Sequence, residues 1–567
     1  MEASPNVMRI MKRAKGRAGS LLDAFETGGW RAHFRDIARY CLNRRGEYLE
    51  SRDYDPNHGG RINQAINNGM PEESIHTVAS GMMNSVSNPA LPWIQVTPED
   101  EDLKDDKTIQ DHVWRQLRTL YSLINDSNVY DTMPQWYAEA AAFGTAAFRL
   151  DPHPTNTFKA THLPIGSFQL ANGGDGTPDT CLYRYARTVR QLVELYGINA
   201  VSRATREKYN ADSGAERDHF VKCSNLIEPN VDRDRNFLDW RGMRFRSITW
   251  EDGVGDNEPP LKIGGMHMFP IVTIITGAVG EQVYGGYARG MRVLPESRQL
   301  QKEEEQLAKG TGKMISPPLN VPHALRRADG RMNGINRYRG QRSDAIRPTF
   351  QVQFPYQEMK DTTRDRERKI QEISGASVFR TFSILDQTGN HNMTIPEVQE
   401  RRAEAASLLG PLLRSVNTSL RHMVEVMWDY AERDRKFEEP PEVLQGLKLR
   451  VDFVNQLSLE QASSLTNAAM GYANAMATLD QSFPGRAPAS DNLDLDLLAT
   501  ELRQGFFVNP KLQVDPRQRD EGRQQRAQQA EEQAAQERQQ EEAKTAQTLS
   551  NTPLSDGTTA LDAVSGV

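Results

Sequence analysis

Cysteine is scarce. Cys41, Cys181 and Cys223 are the only three in 567 residues, and no two form a C-x-x-C pair. That excludes a disulfide scaffold and a cysteine-held zinc site, and it suits a reducing compartment. No run of about 18 apolar residues occurs, so no spanning helix and no membrane partner are predicted. The first twenty residues carry Arg9, Lys12, Arg13, Lys15 and Arg17 but no apolar stretch of signal-peptide length. The expectation is a soluble intracellular product.

Catalytic signatures are missing too. No serine sits in G-x-S-x-G, H-E-x-x-H does not occur, and the eleven histidines are scattered. The stretch "GTGKM" at 310–314 imitates a phosphate loop. It has Leu307 where that motif needs glycine and Met314 where it needs serine or threonine, so it fails. Carboxylates are plentiful, yet nothing singles out an acid–base pair. No enzyme, metal site or cofactor is expected.

What is present is a long chain with more than one ordinary core's worth of residues, so several domains or an extended multi-part subunit are predicted. The formal charge is −7, so any contact with nucleic acid has to be a local patch or a transient one. Apolar residues at three- and four-residue spacing predict helices through 1–50. Further helices are expected up to Asn88-Pro89, from about Asp105 to Ser127, and from near Pro134. Between about 145 and 275, short β-branched and aromatic runs such as "FPIVTIIT" alternate with Gly, Asn, Asp and Pro clusters, a β-rich insertion. From Tyr284 the pattern is helical again, and the chain reads as α+β, mainly α-helical.

Three later segments stand out. The first begins at Thr394, where Thr394 and Glu397 make a capping box with Pro396 in the first turn. Apolar residues then recur at Ile395, Val398, Ala405, Leu409, Leu412, Val416, Leu420, Met423, Met427 and Tyr430, a long core helix. Pro411 predicts a kink near Ala406–Gly410. The second is a helix at 356–374 with only Tyr356, Met359, Ile370 and Ile373 apolar. So polar a helix needs charged partners, within itself (Asp365–Lys369, Arg368–Glu372) or from copies of itself. The third is 323–347, where Arg326, Arg327, Arg331, Arg337, Arg339, Arg342 and Arg347 face only Asp329 and Asp344, a local charge of +5. Phosphate contact and docking onto an acidic protein both fit it. After Pro516 the chain is rich in Gln, Glu, Arg and Ala, and from Arg517 to Thr548 it has no Leu, Ile, Val or aromatic residue. Alone it should fray, whereas several copies side by side would make an alanine-lined bundle.

In this order the segments resemble the portal, or head-to-tail connector, proteins of short-tailed phages of podovirus type. The resemblance rests on "VASGMMNSVSNPALPWIQV" (78–96), "EAAAFGTAAFRL" (139–150), "LPIGSFQLANG" (163–173), "FPIVT" (269–273), "YGGYARGM" and above all "QTGNHNMTIPEVQERRAEAASLLGPLLRSV" (387–416). It implies a portal fold: wing with a β-rich part over 1–284, first stem helix 285–315, clip 316–355 and second stem helix 356–379. A tunnel loop over 380–393, a kinked wing helix 394–435, a crown 436–515 and a barrel helix or unstructured tail 516–567 complete it.

By the same resemblance the protein is a homo-dodecameric ring at one capsid vertex of the virion, assembled in the host cytoplasm. Double-stranded DNA passes through it during packaging and ejection. The basic clip docks the terminase motor and later a tail adaptor, and capsid and scaffolding proteins contact the ring. The tunnel-loop residues Arg380, Asp386, Gln387, Thr388, Asn390, His391 and Asn392 would face the DNA. A mostly uncharged loop there suits sliding, because each neutralised phosphate adds salt-sensitive affinity. Two rival readings are a tail-adaptor or scaffold protein that encloses no DNA, and a metal-dependent nuclease.

Overall fold

The computed structural model describes residues 5–43, 47–50, 66–98, 107–211, 214–255, 258–278, 280, 282–315, 319–320, 347–348, 355–380, 395–439, 449–453, 456–482, 493–505 and 516–550. The fold is α+β and mainly helical. It divides into two compact units, one of Met1–Val96, Gln116–Glu439 and Leu449–Ser458, the other of Thr97–Arg115, Pro440–Lys448 and Leu459–Val567.

The first unit opens with α1 (Pro5–Thr27) and α2 (Trp30–Cys41), as the periodicity predicts. Gly29 between them takes a left-handed φ of 73°, which only glycine adopts without cost. Then come α3 (Glu47–Glu50), α4 (Met70–Val86), β1 (Ile94–Pro98), α5 (Lys107–Asp126) and α6 (Val129–Phe143). The α6 helix starts ahead of the expected Pro134 and holds that proline inside. Its first turn is secured instead by Asn128, whose carbonyl accepts from the Thr132 N–H at 3.2 Å.

The predicted β-rich stretch is eight strands. Strands β2 (Thr145–His153), β3 (Thr157–Leu163) and β9 (Ile271–Ile275) form an antiparallel sheet in the order β3-β2-β9. Strands β4 (Phe168–Asn172), β5 (Pro178–Thr188), β6 (Phe220–Pro229), β7 (Phe245–Glu251) and β8 (Lys262–Met266) form an antiparallel meander. Leu182, Leu226 and Ile248 lie opposite one another across β5, β6 and β7, so they share one face. The apolar side of α1 (Ile10, Met11, Ala14, Ala18) covers that row. Two short helices, α7 (Val189–Tyr196) and α8 (Arg203–Tyr209), link β5 to β6. All three cysteines are free and buried, and burial pushes the Cys41 and Cys181 thiols up to about 12, which keeps them unreactive.

The long helix runs Ile395–Arg433. Val416, Leu420, Met423 and Met427 are fully buried, as their spacing predicts, and the Tyr430 hydroxyl donates to the Leu150 carbonyl at 3.2 Å. Thr394 of the capping box lies outside the described residues, and so do the side chains from Ile395 to Leu412, where the bend is expected.

The second unit contains most of the helix Gln456–Ser482, the helix Leu495–Gly505 and the helix Pro516–Ser550. The Gln-rich segment forms a helix over Pro516–Ser550. In its second turn Arg523 donates from both Nη atoms to Asp496 at 2.6 Å each.

Candidate functional site

The helices expected over 285–315 and 356–379 are α9 (Arg289–Ile315) and α10 (Tyr356–Ser374), packed on each other in the first unit. The α9 helix begins four residues later than the expected 285. Before it, a Cβ on Gly285 would run into the carbonyl oxygens of Gly144 and Thr276, and the Gly285 N–H donates to Thr145 Oγ1 at 2.8 Å. The segment is thereby pinned against the strand as an irregular turn. From Arg289 the helix turns its first half inward, with Gly290, Val293, Leu294, Ser297, Leu300 and Gln301 buried.

Only a small apolar contact joins the two helices: Ile370 sits fully buried among Val293 and Leu300, flanked by Met70 and Ile373. The rest is ionic. Arg366 grips Glu303 with both arms of its guanidinium, Nε at 2.9 Å and Nη2 at 2.8 Å, while Nη1 donates to Glu296. Lys369 closes on the same Glu296. Hydrogen bonds from Lys369 and Arg366 hold the Glu296 carboxyl below its ordinary pKa, and the bond to Glu303 raises that of Arg366. The expected pairing along the helix is thus corrected. Lys369 leaves Asp365 for Glu296 because it faces α9, and Arg368 approaches Asp365 at 3.7 Å instead of Glu372.

The α10 helix also stops earlier than the expected 379. Gly375 caps it in the left-handed region (φ 80°), and its N–H donates to the Glu372 carbonyl at 3.1 Å. A separate helical turn over 376–380 follows. It ends at Arg380, the first of the predicted loop residues, whose Nη2 is 2.6 Å from Glu73 Oε1 on α4. Asp386, Gln387, Thr388, Asn390, His391 and Asn392 lie outside the described residues. So do Arg326, Arg327, Arg331, Arg337, Arg339 and Arg342. Arg347 is placed, in β11 (Arg347–Pro348), opposite Asn320 of β10 (Leu319–Asn320). An antiparallel pair therefore closes the base of the basic segment.

One feature went unseen in the sequence. A cleft of about 670 Å³ opens between β2, β7, β8, α7 and the end of the long helix. Arg149, Tyr185, Tyr196, His267, Tyr430 and Arg433 contribute to its wall. Desolvation opposes the charge on Arg149, but Asp151 at 2.7 Å outweighs it and raises its pKa. These residues come from strands and helices far apart in the chain, so no local spacing announces them. Among the described residues no group of three His, Cys, Asp or Glu side chains is placed to hold a metal ion, and no helix is long and apolar enough to cross a membrane.

The first unit holds an α+β core and a charge-laced helix pair, α9 and α10. The chain belongs to the bacteriophage head to tail connecting protein family, which matches it over residues 12–512. It is 28% identical over 542 residues to the portal protein of Salmonella phage epsilon15, covering 94% of each chain. It is 27% identical over 512 residues to the probable portal protein of Bordetella phage BPP-1, covering 88% of this chain and 89% of that one. A chain from the virion of a native gene transfer agent particle matches at 12% identity with a TM-score of 0.34. That match covers 81% of this chain and 99% of the other, and nothing about this chain follows from so low a score.

Proposed function

We propose that the chain is the portal subunit of a phage virion, a structural ring protein through which the genome enters and leaves the head. The observation that carries this reading is the end-to-end likeness to the epsilon15 portal protein, with 94% of each chain aligned. In this reading α9 and α10 are the stem and 316–355 is the clip. Residues 380–393 are the tunnel loop, 394–435 is the kinked wing helix, 436–515 forms the crown, and 516–567 is the barrel helix or tail. Double-stranded DNA passes through the centre of a homo-dodecamer at one capsid vertex. Terminase and then the tail adaptor dock on Arg326, Arg327, Arg331, Arg337, Arg339, Arg342 and Arg347.

The chemistry supports a passive role. The stem pair spends its charges on its own chain, Arg366 and Lys369 on Glu296 and Glu303, which leaves fewer cations to grip a moving duplex. Arg380 at the base of the tunnel loop is likewise neutralised by Glu73. Twelve copies of 63.9 kDa make a particle of about 770 kDa with a hole of roughly 20 Å or more, wide enough for a duplex. Averaged top views and a native mass test this. Closed rings support it, and a monomer at every salt and protein concentration sinks it. Arg326→Glu, Arg327→Glu and Arg331→Glu together should impair terminase and adaptor docking while rings still form. Unchanged packaging and tail joining would remove the docking role.

A further inference from the structure

The basic residues near the start of the chain have been given no role in the proposed function. In α1, Arg9, Lys12, Arg13 and Arg17 are all exposed, with Gly16 and Ser20 on the same side. Their spacing of three and four residues gathers them into one stripe. From Arg9 to Arg17 the stripe covers about 12 Å of helix axis, which matches three or four phosphates of a DNA strand at ~3.4 Å of rise each. The opposite side of the helix is committed: Ile10, Met11, Ala14 and Ala18 pack on Leu182, Leu226, Ile248 and Trp250 of the meander. Lys15 adds a tether by donating to the carbonyls of Val254 at 2.8 Å and Gly255 at 3.3 Å. The stripe is therefore held rigidly outward.

Its charge is barely compensated. Among the described residues only Arg13 has a carboxylate within reach, Asp232 at 3.9 Å, and that aspartate also approaches Arg246 at 3.5 Å. A Cβ built on Gly16 would meet nothing within 4 Å, so the middle of the stripe is open to a close-approaching backbone. A chain of net charge −7 has thus concentrated cations on one fixed helix face.

We propose that this face of α1 is a sequence-independent binding surface for the phosphate backbone of duplex DNA, distinct from the loop 380–393 and the basic segment 323–347. Two observations favour DNA over other polyanions. The exposed side of the stripe offers Arg, Lys, Gly and Ser and no apolar or aromatic anchor, whereas protein interfaces draw their affinity from such anchors. An anionic membrane is disfavoured because interfacial helices insert their apolar side, and here that side is covered by the sheet. Phosphate binding needs neither, only cations in a row.

The test uses the full-length protein and a fluorescent duplex of about 30 base pairs, titrated at several salt concentrations. Arg9→Gln, Lys12→Gln and Arg17→Gln are combined in one variant. A matched control neutralises three exposed cations elsewhere, Lys159→Gln, Arg190→Gln and Arg203→Gln. The stripe variant should bind roughly tenfold or more weakly at low salt, and its salt slope should flatten by about 2 to 3, near 0.9 per lost phosphate contact. The control should keep the parental slope. Equal loss in both variants, or no loss in either, overturns the proposal. So does polyglutamate competing as well as duplex per unit charge, since the stripe would then serve an acidic protein. The inference does not rest on the ring: top views of the same variant show whether the subunit still closes, so either idea can fail alone.

Discussion

The two halves of α9 are one continuous helix held by opposite means. The first half is locked by contact. Gly290 lies so close to α6 that a Cβ there would overlap the Ala142 backbone, and Val293, Leu294 and Leu300 are buried beside it. The second half carries Glu303, Glu304, Glu305, Lys309 and Lys313 and is joined to α10 through the Arg366–Glu303 pair, while Lys369 reaches back to Glu296 in the first half. Close packing is indifferent to salt and pH, and ion pairs are not. The same helix can therefore be anchored in a core at one end and remain adjustable at the other.

Substitutions can break that contrast. The largest effect should come from Gly290→Val. Its side chain has no room against Ala142, and a loss of about 3 kcal/mol is expected, seen as a large fall in melting temperature or as insoluble protein. Tolerance of valine there would deny that α6 and α9 are in close contact. Arg366→Met should cost about 2 kcal/mol, because Glu303 and Glu296 lose charged hydrogen bonds in a half-buried place. Hydrogen exchange should speed up in the second half of α9 and in α10 while the first half of α9 stays protected.

Acid should loosen the hold of α10 on α9 at Glu296, the one partner of Arg366 and Lys369 that lies in the first half. The folded Glu296 carboxyl titrates below its unfolded value of 4.5, so its contribution is fully present above that value. It is lost as the pH falls through the lower, folded value, and exchange in α10 should rise there first. Unchanged exchange in α10 through that window would contradict the assignment. Gly312→Ala should move the other way from Gly290. The space over Gly312 is open, so alanine should stabilise the second half by about 0.5 to 1 kcal/mol through helix propensity. The smallest change is expected at Arg203→Ala, where the pair with Glu207 on α8 is fully exposed and screened, so the melting temperature should barely move. A larger loss there would mean that surface pairs cannot be discounted elsewhere in the chain.

Much of this was legible in the residues. Val416, Leu420, Met423 and Met427 advertise a buried helix face by spacing alone, and the alternation of β-branched runs with Gly and Asn clusters locates β2 to β9. The polar character of α10 was equally plain, but its partners were not. Local rules pair Lys369 with Asp365, and only the approach of α9 sends it to Glu296. The helix starts were misplaced where a glycine or proline met a tertiary contact, at Gly285 beside Gly144 and at Pro134 inside α6. The cleft at Arg149 was invisible, because its walls come from segments as distant as β2 and the end of the long helix.

The sequence by itself determined which segments are helix or strand, which faces are apolar, and that cations cluster at both 9–17 and 323–347, since these depend on side-chain spacing along a single chain. Only the tertiary structure decided which of those charges are spent. Arg366, Lys369 and Arg380 end against carboxylates of other elements, while Arg9, Lys12 and Arg17 are left facing outward over a helix whose other side is buried. An ion pair forms wherever folding brings two groups within a few ångströms, and that distance is set by how the elements dock rather than by their order along the chain.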